Sequence, residues 1–294
     1  MDSLSGAAVR ADGFGLKGPR GWVFQGVSLD AEPGSLVAVA GPSGSGRTCL
    51  LLALTGRMKS TAGSAEVGGH ALPKRMGAVR RISALGPVPG VNDLDPSLTV
   101  AEQVRERALL LGRYGGPLRA LVRPRGAGPA VRAEEALAAA GLDPASLPKG
   151  ERTAVRSLGR VEALRLSVAL ALMGRPELVA VDDADLKLSA DERGEVWGLL
   201  RDVAACGTTV LAVCSDAPSD AVTVRTGPAG SGLRPGPRSP SAGGAGIAPA
   251  AGAPAAGSAG EAPADAGGAE EAGPDGAAPG GGATEEEGDG DAGV

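Results

Sequence analysis

The sequence predicts an α/β domain with a largely parallel sheet, and three observations predict it. Short apolar runs containing β-branched residues, at 35–40 (SLVAVA), 178–181 (LVAV) and 208–213 (TTVLAV), alternate with helical patterns. Those runs lack polar alternation, which is how strands covered on both faces read. A glycine-rich loop, 41–48, joins the first run directly to an apolar helix.

Each element follows from local chemistry. Residues 22–29 (WVFQGVSL) predict an antiparallel strand that ends at the Glu32-Pro33-Gly34 turn. Residues 35–40 predict a buried strand and 48–55 the helix after the loop. Gly68-Gly69 predicts a hairpin that carries His70 at the surface. The helix over 100–112 opens with Thr99 and Glu102, a capping box in which each side chain satisfies an orphan N–H. Helices follow over 131–140 and 161–173, the second stopping at Gly174 with Pro176 just beyond. After the strand at 178–181, the helix over 190–205 carries an apolar stripe of Val196, Trp197, Leu199, Leu200 and Val203, which assigns Trp197 to the core. Residues from about 99 to 165 are mainly helical and separate the loop from the later strands, so they are expected to form a helical subdomain inserted into the α/β core.

Composition sets the domain limits. From 226 on, the chain is mostly Gly, Ala, Pro, Ser, Asp and Glu, which cannot bury enough apolar surface to offset chain entropy. The expected folded domain is 1–225, and 226–294 is expected to be a disordered, solvated tail. Ten carboxylates from Glu261 to Asp291 against Arg234 and Arg238 make the tail −8, and the chain total of −5 therefore leaves +3 for residues 1–226. That balance argues against a nucleic-acid partner. Cys49, Cys206 and Cys214 are too scattered for a disulfide framework or a zinc site, and the single His70 has no ligating neighbour, which points to a reducing compartment. No run of about eighteen apolar residues and no basic-then-apolar N-terminus is present, so neither a membrane span nor a signal peptide is expected.

The loop reads Gly41-Pro42-Ser43-Gly44-Ser45-Gly46-Arg47-Thr48, which matches the phosphate-loop pattern G-x-x-x-x-G-K-[ST] except for arginine in place of lysine. Glycines let the backbone curl so that successive N–H groups point at phosphate oxygens, and the helix that follows adds its positive N-terminal dipole. Thr48 would put its hydroxyl on Mg²⁺, and Arg47 would neutralise charge on the β- and γ-phosphates. Guanidinium keeps the charge of lysine but is planar and larger. The chain uses five lysines against twenty-four arginines, which makes the exchange at 47 unsurprising. Cys49 is counted with the nucleotide-binding set, its other reading being packing; a helix N-terminus can lower a thiol pKa. The run 178–181 delivers Asp182 and Asp183 to the C-terminal end of a strand, where ligands of open α/β sheets bind, and Asp182 would orient Mg²⁺ through water.

Taken in order, Val27-Ser28-Leu29, Glu32-Pro33-Gly34, the GPSGSGRT loop, Leu98-Thr99-Val100-Ala101-Glu102, RPELVAVDD and Gly207-Thr208-Thr209-Val210 resemble the nucleotide-binding domain of ATP-binding-cassette (ABC) transporters over roughly 8–225. The resemblance implies a P-loop NTPase fold with an ABC-ATPase-like core, an antiparallel β-subdomain and the inserted helical subdomain. It implies ATP and Mg²⁺ as cofactors. It sets Asp183 at the position of the family's catalytic glutamate, one methylene shorter, and Ser215 at that of the switch histidine. The signature LSGGQ aligns with Leu158-Gly159-Arg160-Val161-Glu162, the metal-sensing glutamine falls near Gly86-Pro87, and the aspartate of the dimer-contact loop falls at Ser189. An aromatic residue stacks on adenine in the family, and Trp22 and Phe14 are the candidates here, with core packing as the other reading.

The implied function is the ATP-binding subunit of an ABC-type transporter, hydrolysing weakly and driving a separate membrane permease as a homo- or heterodimer. The location implied is cytoplasmic, peripheral at the inner face of the cell membrane. The alternatives are a non-catalytic pseudo-ATPase with a regulatory or structural role and the degenerate half of a heterodimer. Retained cradle glycines and Thr48, against altered Asp183, Val161 and Ser215, favour binding over hydrolysis.

Overall fold

Two sheets carry the chain, and each buries what its residue pattern dictates. The computed structural model of the protein describes residues 6–114 and 128–227. The acidic segment expected to be disordered lies outside the described residues from 228 on.

The first sheet is antiparallel, built from β1 (Val9–Gly18), β2 (Gly21–Ala31), β4 (Ala62–Val67) and β5 (His70–Leu72) in the order β2-β1-β4-β5. Its strands alternate, so β2 buries Phe24, Val27, Leu29 and Ala31 while Ser28 and Asp30 face out. β4 and β5 form the hairpin expected around Gly68-Gly69, and His70 is half-exposed on it.

The second sheet is parallel throughout. β3 (Leu36–Ala40), β6 (Ser83–Leu85), β7 (Leu178–Val181), β8 (Thr209–Cys214) and β9 (Val222–Arg225) lie in the order β6-β7-β8-β3-β9. Every residue of β3, β7 and β8 is buried, as their unbroken apolar runs require. Alternate residues feed two cores. Val37, Val39, Leu178, Ala180, Leu211 and Val213 pack with α1 (Arg47–Leu54) and the antiparallel sheet. Leu36, Ala38, Val179, Val181, Val210 and Ala212 pack with the long helices on the opposite face.

Those helices stand within two residues of the expected bounds. After the short α2 (Met76–Ile82) come α3 (Val100–Tyr114), α4 (Pro129–Ala139), α5 (Arg160–Leu172) and α6 (Ala190–Ala205), with 3₁₀ turns over 144–157. The α3 capping box is formed, Thr99 N–H donating to Glu102 Oε2 at 2.8 Å and Glu102 N–H to Thr99 Oγ1 at 3.3 Å. Trp197 is buried in the helical-side core, as its stripe requires. Thr226, which composition assigns to the tail, is buried against β3. The folded body therefore continues past residue 225.

Candidate functional site

β3 ends at Ala40, and the chain must turn from a buried strand into α1 within six residues. Gly46 caps α1 at φ 83°, a left-handed conformation, and the Val23 carbonyl stands where a Cβ would go. Thr226 crowds the same space at Gly41. The loop is braced from the β9 side. Thr226 N–H donates to Ala40 O at 2.9 Å, and its hydroxyl lies 2.6 Å from that of Ser45, both groups buried. No residue of α1's own first turn is acidic, so the positive dipole end of the helix at the loop is open to favour an anion.

The strand end expected to supply acid meets this loop. Thr48 Oγ1 donates to Asp182 Oδ2 at 2.7 Å, and Asp182 Oδ1 accepts the Asp183 N–H at 3.0 Å. Burial pushes the Asp182 carboxyl above the usual carboxylate range, opposed by the Thr48 hydrogen bond. Asp183 holds φ 48°, a conformation a non-glycine residue adopts at a cost of about 1 kcal/mol or more.

Arg47 reaches across the loop, and Nη1 donates to the Cys214 carbonyl at the end of β8 at 2.6 Å. One donor of the guanidinium is thus engaged by backbone. An open cleft of about 530 Å³ lies here, lined by Gly41, Pro42, Ser43, Arg47, Asp183, Leu186, Ser215 and Arg225. Ser215 is exposed, and the turn that presents it is held by buried Asp185, whose Oδ2 accepts the N–H of Ser215 at 2.8 Å and of Asp216 at 3.1 Å. A larger groove, about 1400 Å³, runs between the antiparallel sheet and β9. No residue of the 41–48 loop lines it.

The remaining sequence candidates divide. Cys49 packs against the α1-side core, and burial raises its thiol pKa, with Asp182 adding to the rise. Phe14 is fully buried 5.9 Å from the Phe24 ring and is core. Trp22 is half-buried on β2, with Lys17 Nζ 5.8 Å from its ring centroid; it is outside the cleft lining, although its neighbour Val23 touches Gly46. Gly86 is buried with a Cβ position 3.0 Å from Val181 Cγ2, so a side chain there would have to push Val181 aside by a few tenths of an ångström. Gly159 caps α5, Val161 packs on the helical-side core, and Arg160 is exposed. Ser189 caps α6 in a capping box with Glu192.

Four residues at or beside the site escape sequence reasoning: Asp185, Thr226, Arg225 and Asn92. Asn92 fastens the loop after β6, its Nδ2 donating to the carbonyls of Leu85 and Gly86 and its Oδ1 accepting the Val88 N–H at 3.0 Å. The only local signal for Arg225 was the alternation of VTVR over 222–225, four residues long and next to a glycine-rich stretch.

Comparison with known proteins adds an independent line. The family model described as ABC transporter matches residues 24–185. A Nod factor export ATP-binding protein I of Ralstonia nicotianae is 30% identical over 189 residues, covering 64% of this chain and 53% of its own length. One from Paraburkholderia xenovorans is 31% identical over 193 residues, at 64% and 56%. The chain thus spans about half the length of these curated relatives. Among solved structures, the dimeric structure of a bacterial ABC transporter cassette superposes with a TM-score of 0.55 at 22% identity, covering 71% of this chain and 88% of that one. A Clostridium perfringens protein that is part of an ABC transporter complex gives 0.56 at 16% identity, with 71% and 78% covered. These likenesses establish a shared fold.

Proposed function

This chain belongs to the ABC transporter family, and from that membership we propose that it is the ATP-binding subunit of an ABC-type transporter, holding MgATP on 41–48 and serving a separate membrane permease. One observation carries the reading. The Thr48 hydroxyl and the Asp182 carboxylate, from segments 134 residues apart, meet at 2.7 Å beside a loop whose backbone is shaped by Gly41 and Gly46. That is the juxtaposition of phosphate cradle and metal-orienting acid that nucleotide chemistry needs.

Thr48 and Asp182 offer hard oxygen donors, the set that suits Mg²⁺, which commonly takes one or two protein oxygens and fills its shell with water and phosphate. Bound there, the ion would neutralise phosphate charge. Hydrolysis is the weaker part of the proposed activity. Asp183 is shorter than glutamate for polarising water, and Ser215 offers a hydroxyl where an imidazole would carry a proton. Among the described residues no helix is long and apolar enough to cross a membrane, which fits a subunit that docks at the inner membrane face on a permease partner. The named relatives serve export, and export is the direction proposed here.

The test is a calorimetric titration of ATP into the full chain with and without Mg²⁺, together with phosphate release, for the native protein and for Thr48→Ala. Saturable binding that weakens at least about tenfold without Mg²⁺ or in the variant is expected, with slow release of phosphate. Absence of saturable binding by the native chain would sink the proposal.

A further inference from the structure

We propose that Arg225, on β9, is a second phosphate-binding arginine of the cleft and engages the terminal phosphate of bound ATP; this rests on the nucleotide-binding reading above. Residue 225 lies about 180 positions from the loop in sequence, yet the parallel pairing of β9 with β3 sets Arg225 opposite Ala40, the last residue before the loop. The strand end is fastened there. Thr226 donates to the Ala40 carbonyl at 2.9 Å, and its hydroxyl meets that of Ser45 at 2.6 Å. The Arg225 backbone is thereby positioned by the same contacts that shape the loop, while its side chain is exposed and lines the cleft with Gly41, Pro42, Ser43 and Arg47.

The charge inventory of the cleft gives this arginine a task. Arg47 already spends one guanidinium donor on the Cys214 carbonyl at 2.6 Å, a bond that draws its head toward the end of β8. Asp183 brings negative charge to the same cleft, and Ser215 brings none of the positive charge an imidazolium would supply. Beside Arg47 and the Mg²⁺ that Thr48 and Asp182 would hold, Arg225 adds a further fixed cation to the cleft for a nucleotide with three phosphates. Arg225 approaches the loop from the β9 flank of β3, across from the β7 and β8 ends, and lines one cleft with Ser215 and with Asp183, the candidate water-polarising carboxylate; its planar fork suits two phosphate oxygens at once.

The experiment compares equilibrium binding of MgATP and MgADP to the full-length native chain, Arg225→Gln and Arg225→Lys at one fixed salt concentration. Loss of a charge-assisted hydrogen bond to the terminal phosphate is expected to weaken ATP about tenfold or more in Arg225→Gln, with ADP changed less than about threefold. Arg225→Lys, which keeps the charge without the fork, is expected to fall between. An Arg225→Gln variant that binds ATP as the native chain does, or loses ATP and ADP equally, overturns the proposal while leaving the nucleotide-binding function standing. A native chain that binds neither nucleotide overturns both. The thermal midpoint of the nucleotide-free variant should match the native one, because the side chain is exposed.

Discussion

Gly46 carries the sharpest constraint on a single residue, since it combines φ 83° with the Val23 carbonyl in the place of a Cβ. Alanine there meets a left-handed backbone penalty and a collision with main chain that no rotamer relieves. Gly46→Ala is expected to lower unfolding stability by at least ~2 kcal/mol, read from urea denaturation, and to abolish ATP binding. The cysteines allow a second check. Cys214 is fully buried and its thiol is pushed up to about 12 by burial, so at pH 8 it is almost wholly protonated and unreactive, gaining thiolate only as pH approaches that value. Cys49 is half-buried with its thiol also raised, whereas Cys206 is exposed. Maleimide at pH 8 is therefore expected to take one fast equivalent, at Cys206 by mass spectrometry; fast labelling of Cys214 would contradict the buried end of β8. Both results are residue properties that tertiary surroundings impose, since nothing in the stretch around 214 distinguishes a sealed thiol from an open one.

At the scale of elements, the helices were legible because their signals are local. Thr99 and Glu102 stand three apart and close the capping box that the sequence predicts; Ser189 with Glu192 closes another for α6, which sequence reasoning missed. Thr99→Ala is expected to cost about 1 kcal/mol in chemical denaturation while leaving nucleotide affinity unchanged. Strands were most legible when continuous and apolar, and β2 was legible from its run into the Glu32-Pro33-Gly34 turn. β3, β7 and β8 announce themselves, but β1 is interrupted by glycines and by register shifts between Ala11 and Phe14 and again between Leu16 and Lys17, so its pattern has no steady period. β9 is four residues long, with one buried side chain, and reads as loop in isolation. It is nonetheless the element that braces the loop through Thr226.

At the scale of the molecule, the parallel sheet lies between two cores, with β3, β7 and β8 feeding alternate residues to each, and the helical side should respond strongly to a cavity. Leu200 on α6 is fully buried there, and Leu200→Ala is expected to cost about 2–5 kcal/mol in denaturation. MgATP at a hundredfold excess over its dissociation constant should return about 2.7 kcal/mol of that loss, if ATP binds the folded form alone. Removing 228–294, a segment of net charge −8 by sequence and of composition that solvates rather than packs, is expected to leave ATP affinity within about twofold at physiological salt; truncation before Thr226 should not be tolerated in the same way. By itself the sequence determined the strand–loop–helix unit over 36–54, the acidic strand end at Asp182 and the helical insertion, since periodicity, caps and turn residues act over a few positions. Only the tertiary structure decided that Gly86 is crowded by Val181, that Arg47 is tied to the Cys214 carbonyl, and that Arg225 and Thr226 share the phosphate loop's cleft or its bracing. The physical reason is the strand order β6-β7-β8-β3-β9: hydrogen bonds between segments far apart in the chain bring these residues together, and no local propensity encodes them.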